Sequence, residues 1–187
     1  MKNDYLPPIV PGAYYHLYNR TNNKEALFLG EENRLYFLQQ YRYYLEAFTD
    51  TYAYCLLDNH FHLFVRVKAL DEFISSTLTN GTENLTRHQK TLLRDASFDE
   101  LLQLQFRRFF TSYSMAFNTM WNRNGNLFHR PFKRVLVEDE AQYSRLVFIF
   151  TITLSNMVLS VIFVYGNGLR IKPICQMLRR VLRSRTC

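Results

Sequence analysis

His60 and His62 stand one residue apart inside the apolar run Tyr52-Ala53-Tyr54-Cys55-Leu56-Leu57-Asp58-Asn59-His60-Phe61-His62-Leu63-Phe64-Val65-Arg66-Val67. In an extended strand, residues i and i+2 point to the same face. Both imidazoles then stand side by side, with Phe61 and Leu63 turned to the other face. Neutral imidazole nitrogen is a good ligand for a divalent metal, and two such rings on a rigid strand can share one ion. A bare His-x-His is short, and in an arbitrary sequence it is more often two unrelated histidines than a metal site. The strand around this one, and the Asp58-Asn59 turn before it, favour the metal reading.

The elements that position the pair follow from periodicity. Residues 13–20, rich in Tyr and preceded by Pro11-Gly12, read as a first strand. Leu35, Leu38, Tyr41, Leu45 and Phe48 recur on one helix face, predicting a helix over 31–48 that Asp50 ends. Strands over 52–57 and 60–67 flank the tight Asp58-Asn59 turn. A short helix over 71–78 follows an Asp cap. Residues 81–97 are polar and read as a loop or a frayed helix. A longer helix opens at Ser97 or Asp99. Its stripe of Phe106, Phe109, Phe110, Tyr113, Phe117, Met120 and Trp121 has the spacing of a core face rather than of a base-stacking platform. Residues 122–126 form a turn and 132–137 a fourth strand. Asp139 or Glu140 starts a last helix that reaches at least Arg145. The order is strand, helix, two strands, helix, strand, helix. That is the α+β, ferredoxin-like split β-α-β-β-α-β plan with added helices and an antiparallel sheet. Helices cover one face of the sheet, and the histidine pair belongs on the other, free face.

Composition limits the class of protein. A chain of 187 residues, 48% hydrophobic, buries one full core without disulfides. Cys55, Cys175 and Cys187 show no paired spacing. That argues for a reducing, cytoplasmic setting and against a cysteine-based zinc site. Residues 1–12 are polar and proline-rich, without the apolar segment of a secretory signal. The net charge is +7, yet residues 1–165 hold 17 Lys+Arg against 16 Asp+Glu. Arg170, Lys172, Arg179, Arg180, Arg183 and Arg185 face no acid at all. The basic character therefore belongs to the tail, and charge alone does not argue for nucleic acid.

Three stretches carry a family resemblance: 15–28 (YHLYNRTNNKEALF), 54–64 (YCLLDNHFHLF) and 109–133 (FFTSYSMAFNTMWNRNGNLFHRPFK). Together they resemble the HUH single-strand DNA transposases with one catalytic tyrosine, and more closely the REP-associated tyrosine transposases. The likeness spans about residues 12–148. It implies a cut-and-join reaction on single-stranded DNA whose ends are marked by hairpins. A tyrosine phenolate would attack a phosphodiester, form a 5′-phosphotyrosine and release a 3′-OH, conserving the bond for rejoining. A divalent ion, Mg²⁺ or Mn²⁺, would polarise the scissile phosphate. His60 and His62 match the family's metal ligands by position. The resemblance leaves a monomer and a homodimer both open.

The same resemblance expects the nucleophile on the last helix, in a pattern like Tyr-Ile-His-x-Asn-Pro. A polar third ligand follows four residues on, on the same helical face. This chain follows the family to Phe148 and then places Ile149 at the tyrosine's position and Thr153 at the third ligand's. Ile has no nucleophilic atom, and a Thr hydroxyl is a weak metal ligand. A shifted reading frame accounts for this. Codons for residues 148–168 can be chosen so that restoring one base after Phe148 reads Tyr-Ile-His-Tyr-Asn-Pro. The chain then divides into a transposase-like domain, 1–148, and an aberrant tail, 149–187. Tyr143 is a weak fallback nucleophile. Six residues at about 100° each aim it roughly 120° away from the position of Ile149.

Residues 146–165 are 20 residues without a charge, the length of a membrane span. Thr151, Thr153, Ser155, Asn156 and Ser160 weaken that reading, and the run begins inside the helix expected to carry the site. For DNA, the basic residues nearest the matched stretches are Arg20, Arg107, Arg108, Arg123, Arg130, Lys133 and Arg134. Arg20 and the cluster Arg130, Lys133 and Arg134 are the contacts expected to hold the strand or hairpin. His16, on the first strand, is either a supplementary ligand or a satisfied strand histidine. Three functions compete: a transposase inactivated by loss of its tyrosine, a non-catalytic hairpin-DNA-binding protein, and a membrane-anchored protein.

Overall fold

The computed structural model describes residues 8–79, 98–139, 141–142 and 145–146. Four strands, β1 (Tyr14–Arg20), β2 (Thr49–Leu57), β3 (His60–Val67) and β4 (Lys133–Leu136), form one sheet in the order β2-β3-β1-β4. Every neighbouring pair is antiparallel. Helices α1 (Glu31–Leu45), α2 (Leu70–Thr79) and α3 (Phe98–Met120) complete the α+β, ferredoxin-like plan.

Alternation along the strands divides the sheet into two faces. Tyr15 and Leu17 on β1, Tyr54 and Leu56 on β2, and Phe61, Leu63 and Val65 on β3 enter the main core. Phe37 of α1 lies near its centre. Its ring sits 5.0–5.2 Å from those of Phe28, Phe61, Phe109 and Tyr113. Most of these contacts are edge-on, the arrangement favoured by the ring quadrupole. Aromatic side chains thus close the space between α1, α3 and the sheet, and the expected α3 stripe is core through Phe117. Met120 and Trp121 are exposed, where the chain leaves the helix through Asn122 at φ 47°.

The first helix differs from its sequence reading. Its buried residues are Asn33, Phe37, Tyr41 and Leu45, while Leu35 is 53% exposed. The helix stops at Leu45, and Phe48 is buried beyond its end. Asp50 does not end the helix. It lies within β2 opposite Arg66 of β3 and forms an ion pair with it at 2.7 Å. The strand therefore begins at Thr49, and Thr49 and Thr51 bring their hydroxyls to the Tyr41 phenol, at 3.3 and 2.7 Å.

The Asp58-Asn59 hairpin turn is present, but neither residue takes the positive φ favoured in two-residue turns. Its carbonyls are used elsewhere: Leu27 and Phe28 donate to Asp58 O, and Thr21 donates to Asn59 O. The segment after β1 therefore anchors the entrance to the histidine strand.

Residues 141–142 and 145–146 are helical, and Asp139 Oδ1 accepts the Gln142 N–H at 2.6 Å as an N-cap. Leu146 joins a buried cluster with Ala53, Cys55 and Phe64. These three strand residues share the face of the histidine pair, so that face is partly covered rather than free. Its apolar half needs cover from water, and Leu146 supplies some of it. No helix among the described residues is long and apolar enough to cross a membrane. The polar segment 81–97, Tyr143, Ile149, Thr153, most of the 146–165 run and the tail 149–187 lie outside the described residues.

Candidate nucleic-acid interface at the histidine face

Cross-strand register assembles the site. On one face, His62 lies opposite Tyr18 of β1, and Tyr18 in turn lies opposite Lys133 of β4. In the next row His60 lies opposite Arg20. His60, His62 and Tyr18 are half-buried, while Arg20 and Lys133 are exposed. The two rings expected side by side do share a face, with centroids 5.2 Å apart, and Phe61 and Leu63 are buried on the other side.

Each histidine has its Nδ1 engaged. His60 Nδ1 lies 2.7 Å from Asn59 Oδ1, an oxygen that can only accept, so the ring proton sits on Nδ1 and Nε2 keeps its lone pair. His62 Nδ1 lies 2.8 Å from His16 Nε2, with the donor set by the tautomer. His16 and Tyr18 also stack on His62, at 5.0 and 5.7 Å between centroids. His16 thus sits beside the pair, with its Nε2 edge spent on His62.

Burial keeps these rings neutral. It pushes His62 down to about 3, helped by the neighbouring His16 and His60, and His16 down to about 4. Burial also lowers His60, with a further push from the Arg20 charge. A neutral imidazole with a fixed Nδ1 partner is the form that binds a metal through Nε2. The chemistry of these two donors suits a divalent ion. Among the described residues, no group of three or more His, Cys, Asp or Glu side chains is arranged to hold a metal.

The expected DNA contacts separate. Arg20 and Lys133 stand on the histidine face, and Arg130 is exposed in the segment leading into β4. Arg134 lies apart from them. It is 8% exposed and pairs with Leu17 on the helix-facing side of the sheet, with its guanidinium 6.0 Å from the Phe132 ring. Burial lowers its pKa, as expected for a guanidinium withdrawn from water. Strand alternation decides this: adjacent Lys133 and Arg134 cannot both face the same side. Arg66, on the histidine face, is tied to Asp50 and Glu72. Arg123 is tied to Glu25. Arg107 and Arg108 belong to α3, in the layer across the sheet.

Tyr18 was not singled out by sequence, although the signal was there. Tyr14, His16, Tyr18 and Arg20 alternate along one strand, so a period of two puts all four on the histidine face.

No protein-family model and no curated protein matches the chain in sequence. Among solved structures the chain is similar to a REP-associated tyrosine transposase bound to a REP hairpin. The TM-score is 0.51 at 12% identity, over 82% of this chain and 73% of that one. The likeness is one of fold alone.

Proposed function

We propose that the chain is a DNA-binding domain of the HUH transposase type, which grips single-stranded, hairpin-marked DNA at the histidine face without cutting it. The observation that carries this reading is the His60–His62 pair: neutral, half-buried, each with Nδ1 engaged, beside the exposed Arg20. The similar solved structure is that of a transposase holding a REP hairpin, which supports DNA as the partner. A bound divalent ion, Mg²⁺ or Mn²⁺, would supply polarisation of a backbone phosphate. His60 and His62 would hold it through Nε2, His62 donating its Nδ1 proton to His16. Arg20, Lys133 and Arg130 would attract the flanking phosphates. Ile149 stands where the family's tyrosine is expected and offers no nucleophile, so strand transfer through a 5′-phosphotyrosine is lost. The unit that grips DNA is 1–148, and the tail from 149 is read as the product of a shifted frame. The gene itself tests this: an intact alternative frame after the Phe148 codon supports it.

The test is a hairpin oligonucleotide with single-stranded flanks, incubated with the full chain and Mn²⁺. Binding that His60→Ala and His62→Ala weaken, with no covalent protein–DNA band, is the expected result. A covalent band would overturn binding without cutting. Tyr143→Phe, at the fallback position, and Tyr18→Phe, at the phenol stacked on His62, would then tell which tyrosine carries the band.

A further inference from the structure

The loop after α3 carries a reactive pair of residues. Asn124 is followed by Gly125, and among the described residues no other asparagine precedes a glycine. In such a pair the backbone nitrogen of the second residue can attack the side-chain amide carbon of the first and close a five-membered imide. Glycine has no Cβ to shield that nitrogen. Most Asn-Gly pairs are turn residues and nothing more, so the spacing alone does not make a site.

The structure adds three observations. Both residues are exposed, so water and base reach them. Among the described residues, no hydrogen bond holds the Gly125 N–H or the Asn124 side-chain amide, and a Cβ built on Gly125 at φ 88° would meet nothing within 4 Å. The two reacting groups are therefore free to approach. The third observation is Arg123. Its guanidinium is fixed by Glu25 and by Asn118 Oδ1 at 3.1 Å. From there Nη1 donates to Asn124 O at 3.4 Å and to Gly125 O at 3.3 Å. The Asn124 oxygen belongs to the same peptide group as the Gly125 nitrogen. When that nitrogen loses its proton, amide resonance spreads the negative charge onto that oxygen. A hydrogen bond from a cation favours the charged form. Arg123 thus eases formation of the nucleophile.

We propose that Asn124 is a site of spontaneous deamidation, promoted by the Arg123 guanidinium over the Asn124–Gly125 peptide. Base takes the Gly125 N–H proton. The nitrogen bonds to Asn124 Cγ, the Cγ–Nδ2 bond breaks, and ammonia leaves with a proton from water. One water molecule then opens the imide. Attack at Cγ gives aspartate, and attack at the backbone carbonyl gives isoaspartate, with the chain routed through the side chain. Water is the only co-reactant.

The surroundings give the product its effect. Asn124 lines a cavity of about 650 Å³ together with Arg20, Lys24, Arg123 and His129, and the lining holds no acidic residue. Deamidation places a carboxylate in it, and a charge-changing modification acts through local electrostatics. Isoaspartate also lengthens the backbone and draws Gly125 O away from Asn118 Nδ2, which now donates to it at 2.9 Å. On the DNA-binding reading above, an aged chain grips DNA less well than a fresh one. The chemistry at Asn124 does not depend on that reading.

The experiment incubates the full chain in warm, mildly alkaline buffer and follows residue 124 by tryptic mapping and mass spectrometry. Cleavage after Arg123 and Arg130 gives a peptide, 124–130, that holds both Asn124 and Asn126. Asn126 is also exposed but precedes Leu127, so it serves as the internal control. Conversion at Asn124 that speeds up with pH, with Asn126 unchanged, is the expected result. Arg123→Lys keeps a positive charge near Glu25 without the fork that reaches the carbonyls. It should slow conversion by about three- to tenfold, less than a full charge-assisted hydrogen bond because the contact is long and exposed. A merely structural Arg123 predicts the reverse, since a looser loop closes the ring more readily. An intact Asn124, or equal conversion at Asn124 and Asn126, overturns the site. An equal or faster rate in Arg123→Lys overturns the part given to Arg123. Asn124→Asp, one of the two products, should weaken hairpin binding, most at low salt. Unchanged binding by Asn124→Asp overturns the effect on DNA, and failure of the parent chain to bind overturns the DNA-binding reading, while the mass measurement judges the chemistry by itself.

Discussion

Replacing His16 with Ala removes the atom that holds His62 Nδ1 at 2.8 Å. Three effects add. The hydrogen bond itself contributes about 0.5–1.5 kcal/mol net. The abandoned His62 Nδ1 would cost about 1–3 kcal/mol in a dry site. His62 is only half-buried, so water recovers much of that and the low end applies. The lost stacking on Tyr18 and His62, at 4.9 and 5.0 Å, accounts for about 0.5–1.5 kcal/mol. The expected loss is therefore on the order of 2–4 kcal/mol, read as a lower urea midpoint at unchanged slope. A second measurement separates packing from positioning. With His62 free to turn, Mn²⁺ affinity by calorimetry should fall about 10–100-fold, the usual weight of a residue that orients a ligand. His16→Gln keeps a polar atom near His62 and should recover part of the metal affinity but little of the stacking. The reasoning is refuted if His16→Ala unfolds within about 0.5 kcal/mol of the parent, the ordinary scatter of surface changes, and binds Mn²⁺ as well as before.

Phe37→Ala should lose about 3–5 kcal/mol, because Phe37 is fully buried and touches four other rings; thermal unfolding or loss of soluble protein would show it. Burial pushes the Tyr54 phenol up to about 12 and raises Tyr41 and Tyr113 as well. The unfolded chain therefore releases these protons near the ordinary phenol pKa of about 10 while the folded one holds them. Stability is full below that pH and falls as pH climbs towards 12, with tyrosinate absorbance appearing together with loss of near-ultraviolet dichroism. Arg20→Ala should weaken hairpin binding and reduce its salt slope by about one with the urea midpoint unchanged. Arg134→Ala, at a buried position, should lower the midpoint and leave the salt slope alone. The opposite pattern in this pair would refute the assignment of strand faces.

The strands were legible because alternation is a local property: Phe61, Leu63 and Val65 on one side and His60 and His62 on the other follow from a period of two. The α3 core stripe was legible for the same reason at helical spacing, through Phe117. In α1 local spacing misled. A Leu35-based stripe and a Phe37-based stripe are both helical, and contact with Phe61, Phe109 and Tyr113 selects the second. Asp50 likewise read as a helix stop, because its partner Arg66 is 16 residues away and reachable only across the sheet. Arg134 is the neighbour of exposed Lys133 in sequence, and only the register with Leu17 shows that it turns inward.

Sequence alone determined the order of elements, the ferredoxin-like plan and the shared face of His60 and His62, since each depends on repeats within a few residues of chain. Only the tertiary structure placed His16 on His62 across 46 residues, joined Arg20 to His60, and closed a basic cavity between loops about 100 residues apart. Such contacts depend on strand register and on the docking of one layer against another, and no local periodicity encodes those distances.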